Sequence, residues 1–154
     1  MKLSHLFVTK MVTKGLPGCV VFTSSAAAAI PSPFSVLYAS TKSFLSAFGA
    51  SLAAEVKSKG IDVCVIHPSP VATRFYDAAT VGTAMLDFFA QFAVTADTLP
   101  KFIFGAIGRT VWRDVGMTAI GFRLMTKFLD YNFLAVMTAA TAHTMKDYQE
   151  NDAL

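Results

Sequence analysis

Tyr38 and Lys42 are the residues whose types and spacing most clearly suggest chemistry. They lie four positions apart in "LYASTKSFLSAF", where apolar side chains recur at the spacings of three and four typical of a helix. On a helix both side chains face the same side. An ammonium beside a phenol favours the phenolate, so such a pair can give or take a proton. Taken alone, Y-x-x-x-K is a weak signal, because such pairs also occur on helix surfaces by chance.

Ser25 stands at a second position suited to chemistry. It ends the apolar segment "CVVFTSS", which predicts a buried strand, and it precedes Tyr38 by thirteen residues. A second buried strand is predicted for "IDVCVIHP", closed by Pro68. Ligand sites of open parallel sheets lie just past the carboxyl ends of the strands. A serine hydroxyl there can hydrogen-bond a substrate oxygen as charge develops on it.

The elements that must position these residues follow from the apolar pattern. The opening "MKLSHLFVTKMVTK" predicts a helix with Leu3, Leu6, Phe7 and Met11 along one side. Another helix is predicted from about Val36 to Lys59. The order helix, strand, helix, strand indicates an α/β fold with a parallel sheet, helices on its faces and a right-handed crossover.

The second half of the chain is less regular. Residues 69–82 predict a loop, "TAMLDFFAQFAV" and "LPKFIFGAIGRTV" predict helices, and "GMTAIGF" predicts a last short strand. The tail from about Arg123 to Gln149 predicts further helical stretches. No internal repeat or second domain is predicted.

Composition and charge exclude some classes of protein. The chain has 154 residues, 54% of them hydrophobic and 15% charged, with a net charge of +3. Its basic residues do not cluster, which argues against nucleic-acid binding. Prolines and charges interrupt the apolar stretches, so no membrane-spanning helix is predicted, while a peripheral membrane contact stays open.

The cysteines and histidines suggest no metal site. Cys19 and Cys64 form neither C-x-x-C nor a Cys/His spacing suited to a metal. They predict two buried free thiols in a reducing compartment, with a disulfide as the less favoured alternative. His5, His67 and His143 are scattered, and local hydrogen bonding or surface exposure is expected for each.

In combination, these motifs resemble the carboxyl-terminal half of a short-chain dehydrogenase/reductase. In that family a strand ending in serine, a Y-x-S/A-x-K helix and a "PG-x-V-x-T" segment occur in this order. The resemblance implies half of a Rossmann-type doubly wound parallel sheet with helices on both faces. It also implies that Ser25 polarises a carbonyl, that Tyr38 is the general acid in reduction, and that Lys42 holds the cofactor ribose and favours the phenolate. It implies cofactor contacts from these residues: Tyr38, Lys42, Pro68, Ser69, Val71 and Thr73. Ser69 stands where the family usually has glycine.

Within the family, the chain is most similar to very-long-chain 3-oxoacyl-CoA reductases and certain hydroxysteroid dehydrogenases. The stretches that carry this similarity are "LYASTKSFLSAFGASLAAEVKSKGIDV", "VATRF" and "RTVWRDVG". The resemblance implies a lipid-like substrate, NADP(H) with NAD as the alternative, and the endoplasmic reticulum membrane, or the cytoplasm for an unanchored chain.

The apolar segment 78–107 occupies the place of the family's substrate lid. Five phenylalanines in it suit an acyl or steroid ligand: Phe88, Phe89, Phe92, Phe102 and Phe104. An apolar stripe of this kind is also typical of a core or of a dimer face, so both alternatives stay open.

The family's glycine-rich T-G-x-x-x-G-x-G turn and its "NNAG" segment do not occur in the sequence. Residues 1–154 therefore predict a single partial domain without the glycine-rich half, whose strand "CVVFTSS" has an open apolar edge. Two functions follow: an NADP(H)-dependent reductase, or an inactive fragment that associates with full-length relatives or with itself. A Ser25/Lys42 hydrolase is disfavoured because no G-x-S-x-G elbow surrounds Ser25.

Overall fold

The computed structural model describes residues 1–74, 88–145 and 148. The helices of this part are α1 (Lys2–Thr13), α2 (Val36–Val56), α3 (Leu99–Ala106), α4 (Met117–Phe128) and α5 (Tyr131–Thr141). Its strands are β1 (Gly18–Thr23), β2 (Ile61–Pro68), β3 (Val71–Ala72), β4 (Val94–Thr95) and β5 (Trp112–Val115). Short 3-10 turns cover Ala26–Ala29, Lys57–Lys59, Ala96–Thr98 and Ala142–Thr144.

Among the described residues, the main sheet has three parallel strands in the order β1-β2-β5. Thr23 of β1 lies beside Ile66 of β2, and Pro68 of β2 lies beside Val115 of β5, so the three carboxyl ends meet at one edge. The short strands β3 and β4 form a separate parallel pair. The predicted α/β fold with a parallel sheet is confirmed.

Helices cover both faces of this sheet. On one face, Ala53 and Val56 of α2 pack with Ile61 and Val63 of β2, and α1 adds Met11. On the other face, Ala106 of α3 packs with three side chains of the strands: Cys64, Ile66 and Val115. The sheet is therefore doubly wound, as the resemblance implied.

The predicted apolar side of α1 is only partly buried. Val8 and Met11 pack against the core, whereas Leu3, Leu6 and Phe7 are exposed. Val8 and Met11 are the α1 side chains that pack against the core cluster formed by α2 and β2. The open edge predicted for "CVVFTSS" is also present, since β1 pairs only with β2 among the described residues.

The prediction of a last strand at "GMTAIGF" is wrong. These residues begin helix α4, and the strand is the preceding "WRDV" of β5. Sequence periodicity missed β5 because its central residues, Arg113 and Asp114, are charged. Asp114 is accommodated by an ion pair with Arg123 of α4. Gly116, at φ +89°, turns the chain from strand to helix in a conformation that favours glycine.

Two further predictions are partly wrong: the predicted 69–82 loop contains strand β3, and the predicted 83–94 helix does not continue past residue 90 and gives way to β4. The helix predicted at 99–111 ends earlier, at Ala106, and α5 lies within the predicted helical tail. Residues 88–90 are helical. Residues 75–87, which include the end of the predicted loop and the start of the predicted 83–94 helix, lie outside the described residues. Both cysteines are free thiols; Cys64 is buried and Cys19 is half-buried. No helix in the described part is long and apolar enough to cross a membrane.

Gly49 allows α2 to pack closely on the sheet. A Cβ atom added there would overlap Val65 Cγ2 and lie 3.2 Å from Phe22 Cδ2. Gly49→Ala should therefore lower the free energy of unfolding by about 2 kcal/mol, because overpacking outweighs the better helix propensity of alanine. Gly121→Ala in α4 is the matched control, since a Cβ there meets nothing within 4 Å. Urea unfolding of both variants measures the effect, and equal midpoints would contradict it.

Candidate active site

The carboxyl ends of β1 and β2 form the base of the candidate site. The Ser24 N–H donates to the Ile66 carbonyl at 2.8 Å, which holds the two strand ends together. Ser25 follows directly and is half-buried. Its Oγ accepts a hydrogen bond from the Ala27 N–H at 3.2 Å and so caps the turn Ala26–Ala29. The Ser25 hydroxyl hydrogen keeps its capacity to donate to a bound oxygen.

Helix α2 begins beside these strand ends and is tied to them by side chains. Lys42 Nζ donates to the Thr23 carbonyl at 2.9 Å, and Ser24 Oγ donates to the Lys42 carbonyl at 2.8 Å. Ser43 Oγ donates to the Ala28 carbonyl at 2.9 Å, which fixes the turn after Ser25 against the helix. The helix starts at Val36, so Tyr38 lies in its first turn and Lys42 in its second.

Tyr38 and Lys42 face the same side of α2, as their spacing predicts. Lys42 Nζ lies 5.6 Å from the centroid of the Tyr38 ring, within the range of a cation–π contact. Tyr38 keeps 40% of its surface exposed. Burial lowers the pKa of the half-buried Lys42 ammonium below its usual value. The structure therefore brings the ammonium and the phenol together at the end of the sheet that carries Ser25.

The predicted cofactor-contact segment follows β2. Pro68 and Ser69 are buried, Val71 is half-buried in β3, and Thr73 is exposed just past that strand. The Ser69 N–H donates to the Val115 carbonyl at 2.7 Å. Ser69 Oγ accepts from the Ala119 N–H at 3.0 Å, in the first turn of α4. The Ser69 hydroxyl is thus directed at α4.

Ser69→Ala tests this capping role. Loss of the acceptor leaves the buried Ala119 N–H unpaired, so the free energy of unfolding should fall by about 1 kcal/mol. Hydrogen exchange should show the first turn of α4 exchanging faster than in the unchanged protein. An unchanged exchange rate at Ala119 would contradict the assignment.

Sequence reasoning missed a buried polar network beneath this site. His67 is 2% exposed, and its Nε2 lies 2.9 Å from Ser46 Oγ. Its Nδ1 lies 3.7 Å from Asp114 Oδ1, and its ring packs edge-on against Trp112. Burial lowers the pKa of His67 to about 4; the Asp114 carboxylate opposes this shift and the Arg123 guanidinium adds to it. The signal in the sequence was His67 itself, a polar residue near the end of the apolar segment "IDVCVIHP". A polar side chain buried at that position needs a hydrogen-bonding partner.

A cavity of about 530 Å³ lies beside the outer strand β5 and the start of α4. Its lining includes Phe102, Trp112, Arg113, Asp114 and Met117, and it includes none of Ser25, Tyr38 and Lys42. The cavity is therefore separate from the candidate active site.

Comparison with known proteins identifies the family. The family model described as short chain dehydrogenase matches residues 1–82, which is more than half of the chain. The chain therefore belongs to the short-chain dehydrogenase family. Very-long-chain 3-oxoacyl-CoA reductase of Anas platyrhynchos is 39% identical over 71 residues, which are 44% of this chain and 23% of that protein. The chain spans about a quarter of the length of the curated relatives it matches.

Solved structures show the same fold. A 7beta-hydroxysteroid dehydrogenase superposes with a TM-score of 0.69 at 19% identity, covering 88% of this chain and 53% of that one. A short chain dehydrogenase from Burkholderia cenocepacia in complex with NADP gives 0.63 at 12% identity, over 87% and 50% of the two chains. A short chain dehydrogenase from Mycobacterium paratuberculosis bound to NAD gives 0.57 at 17%, over 73% and 49%. At these identities the similarity shows the fold, a Rossmann-type α/β sheet.

Proposed function

We propose that this chain forms the catalytic part of an NAD(P)H-dependent oxidoreductase that reduces a ketone on a lipid-like substrate. The observation that supports the proposal is the position of the Tyr38–Lys42 pair beside the carboxyl end of β1, just before Ser25. Lys42 Nζ is held there by the Thr23 carbonyl, 5.6 Å from the Tyr38 ring. Family membership supports the same reaction class.

The residues present suit the nicotinamide-ribose part of a dinucleotide. The Lys42 ammonium has three N–H donors and gives one to Thr23, so the other two can hold ribose hydroxyls. Pro68 ends the neighbouring strand β2, Val71 and Thr73 follow it, and we propose that these residues face the nicotinamide. The sequence contains no glycine-rich phosphate turn. We therefore propose that residues 1–154 are one part of a domain whose pyrophosphate site lies elsewhere.

The chemistry assigns one role to each side chain. A bound NAD(P)H supplies the hydride that adds to the carbonyl carbon. Ser25 donates a hydrogen bond to the carbonyl oxygen, where negative charge develops. Tyr38 gives its phenolic proton to that oxygen, so that the product is an alcohol. Lys42 stabilises the resulting phenolate, which regains a proton from solvent through the exposed side of the ring.

The substrate class rests on the apolar segment after residue 88. Phe88, Phe92 and Phe104 are exposed, and Phe88 contacts the rings of Phe89 and Phe92. Exposed aromatic side chains of this kind suit an acyl or steroid chain. Phe102 instead packs against the core, as the alternative interpretation of this stripe expected. We propose a 3-oxoacyl-CoA as the substrate and NADPH as the preferred cofactor, with location at the endoplasmic reticulum membrane by resemblance.

A chimera tests the proposal. Residues 1–154 are placed behind the part of the duck very-long-chain 3-oxoacyl-CoA reductase that precedes its matching segment. The chimera should bind NADPH and oxidise it when a 3-oxoacyl-CoA is added, and NADH and a 3-oxosteroid test the other cofactor and substrate class. A chimera that binds NADPH but reduces no ketone would overturn the proposal. The chain alone, assayed in parallel, shows whether it needs the additional part.

A further inference from the structure

Two reciprocal hydrogen bonds connect the end of β1 with helix α2 at the candidate site. The Lys42 side chain donates to the main chain at Thr23, and the Ser24 side chain donates to the main chain at Lys42. The Lys42 ammonium and the strand end that carries Ser25 are therefore fixed to each other from both directions.

Ser46, one helical turn after Lys42, continues this connection into the protein. Its Oγ lies 2.9 Å from the Lys42 carbonyl oxygen, 2.9 Å from Ser24 Oγ and 2.9 Å from His67 Nε2. Ser24, Ser46 and His67 are all buried. When His67 carries its hydrogen on Nε2, that hydrogen is donated to Ser46 Oγ, and Ser46 donates its own hydroxyl hydrogen to Ser24 Oγ. Ser24 then donates to the Lys42 carbonyl, so each hydroxyl has a partner.

Strand β5 and helix α4 hold the far end of this chain of groups. Trp112 Nε1 donates to the Ser46 carbonyl at 3.2 Å. The Arg123 guanidinium lies 4.5 Å from the Trp112 ring centroid and pairs with both carboxylate oxygens of Asp114, at 3.1 and 3.2 Å. Groups on α2, β2, β5 and α4 are thus connected through Ser46 to Ser24, which follows β1, and to the Lys42 carbonyl.

We propose that Ser24, Ser46 and His67 are positioning residues, forming a buried relay that fixes the Lys42 main chain and thereby holds the Lys42 ammonium against Tyr38 and the strand end. The effect of this relay on catalysis rests on the proposed function. A buried polar chain that only filled space would need no connection to Lys42, and apolar side chains of similar size would fill the same volume at no desolvation cost. This chain of groups ends at the helical residue whose side chain serves the site.

The test compares Ser46→Ala with Ser51→Ala in the 154-residue chain. Both serines are on α2, and each Oγ lies within hydrogen-bond distance of the carbonyl oxygen four residues earlier, but Ser51 is exposed and outside the relay. Lysines are labelled with ¹³C-methyl groups, the Lys42 signal is assigned with Lys42→Arg, and its titration is followed by NMR. In Ser46→Ala the pKa of Lys42 should rise toward its ordinary value, because the ammonium leaves its desolvated place. Ser51→Ala and Ser46→Thr, which keeps the hydroxyl, should titrate as the unchanged protein does.

An unchanged Lys42 titration in Ser46→Ala would overturn the relay. Should Ser46→Ala fail to fold, Ser24→Ala removes the next hydroxyl and is judged by the same signal. In the chimera, Ser46→Ala should lower kcat about 10-fold with KM changed less than about twofold, since misplacement affects the transition state more than binding. Equal kcat values for Ser46→Ala and Ser51→Ala, each corrected for the folded fraction, would also overturn it. An inactive chimera with a shifted Lys42 titration would refute the proposed function and leave the relay standing.

Discussion

Tyr38→Phe is expected to lower kcat for ketone reduction by about 100- to 10,000-fold, the usual contribution of a positioned general acid. The substitution removes only the phenolic oxygen, so the ring stays beside the Lys42 ammonium and the helix keeps its first turn. KM should change little, because the lost interaction is made mainly in the transition state.

Tyr131→Phe provides the matched control for this effect. Tyr131 begins helix α5, is exposed, and lies outside the candidate site. Steady-state rates are measured for the chimera with either substitution at saturating NADPH. The comparison separates loss of the Tyr38 general acid from a general effect of removing a tyrosine hydroxyl. A Tyr38→Phe chimera with the rate of the Tyr131→Phe chimera would show that another group supplies the proton.

The second large effect is a pH dependence of stability that comes from His67. The pKa of His67 is about 4 in the folded protein, against 6.5 as its ordinary value. Between these values the unfolded chain binds a proton that the folded protein does not, so the free energy of unfolding rises with pH. As pH falls from about 6.5 to about 4, His67 should cost the folded state about 2 to 3 kcal/mol. Below that window its contribution becomes constant.

His67→Gln removes this titration while keeping an amide that can reach Ser46. The charged groups facing His67 are Asp114 of β5 and Arg123 of α4, and both remain in the variant. Urea unfolding at several pH values should therefore give a smaller loss of stability on acidification for His67→Gln than for the unchanged protein. Parallel curves for the two proteins would show that His67 titrates normally in the fold.

Elements with a clear apolar period were predictable, and charged elements were not. The β1 and β2 segments are continuous apolar runs, and α2 places apolar residues at helical spacing, so all three were assigned correctly. Strand β5 carries the charged residues Arg113 and Asp114. The sheet accommodates Asp114 because its carboxylate forms an ion pair with Arg123. The apolar "GMTAIGF" beside it satisfied a strand pattern but folds as a helix, since a short apolar run does not distinguish the two.

The same limit applies to the site. Tyr38 and Lys42 were found because their contact is local, one turn along a single helix. Ser46 and His67 contact each other across 21 positions of the chain, and Trp112 reaches Ser46 across 66. Such pairs depend on how α2, β2 and β5 pack together, which no local pattern encodes.

We propose that Ser25, Tyr38 and Lys42 serve the reduction of a ketone by a nicotinamide cofactor, and transfer of a labelled hydride can be followed in the product. The chimera is supplied with NADPH deuterated at the transferable position and with a 3-oxoacyl-CoA, and the product is analysed by mass spectrometry. We expect a 3-hydroxyacyl-CoA with deuterium on the carbinol carbon, formed by the chimera without substitutions and nearly absent with Tyr38→Phe. A folded, NADPH-binding chimera that forms no deuterated alcohol, or forms as much with Tyr38→Phe, would contradict it.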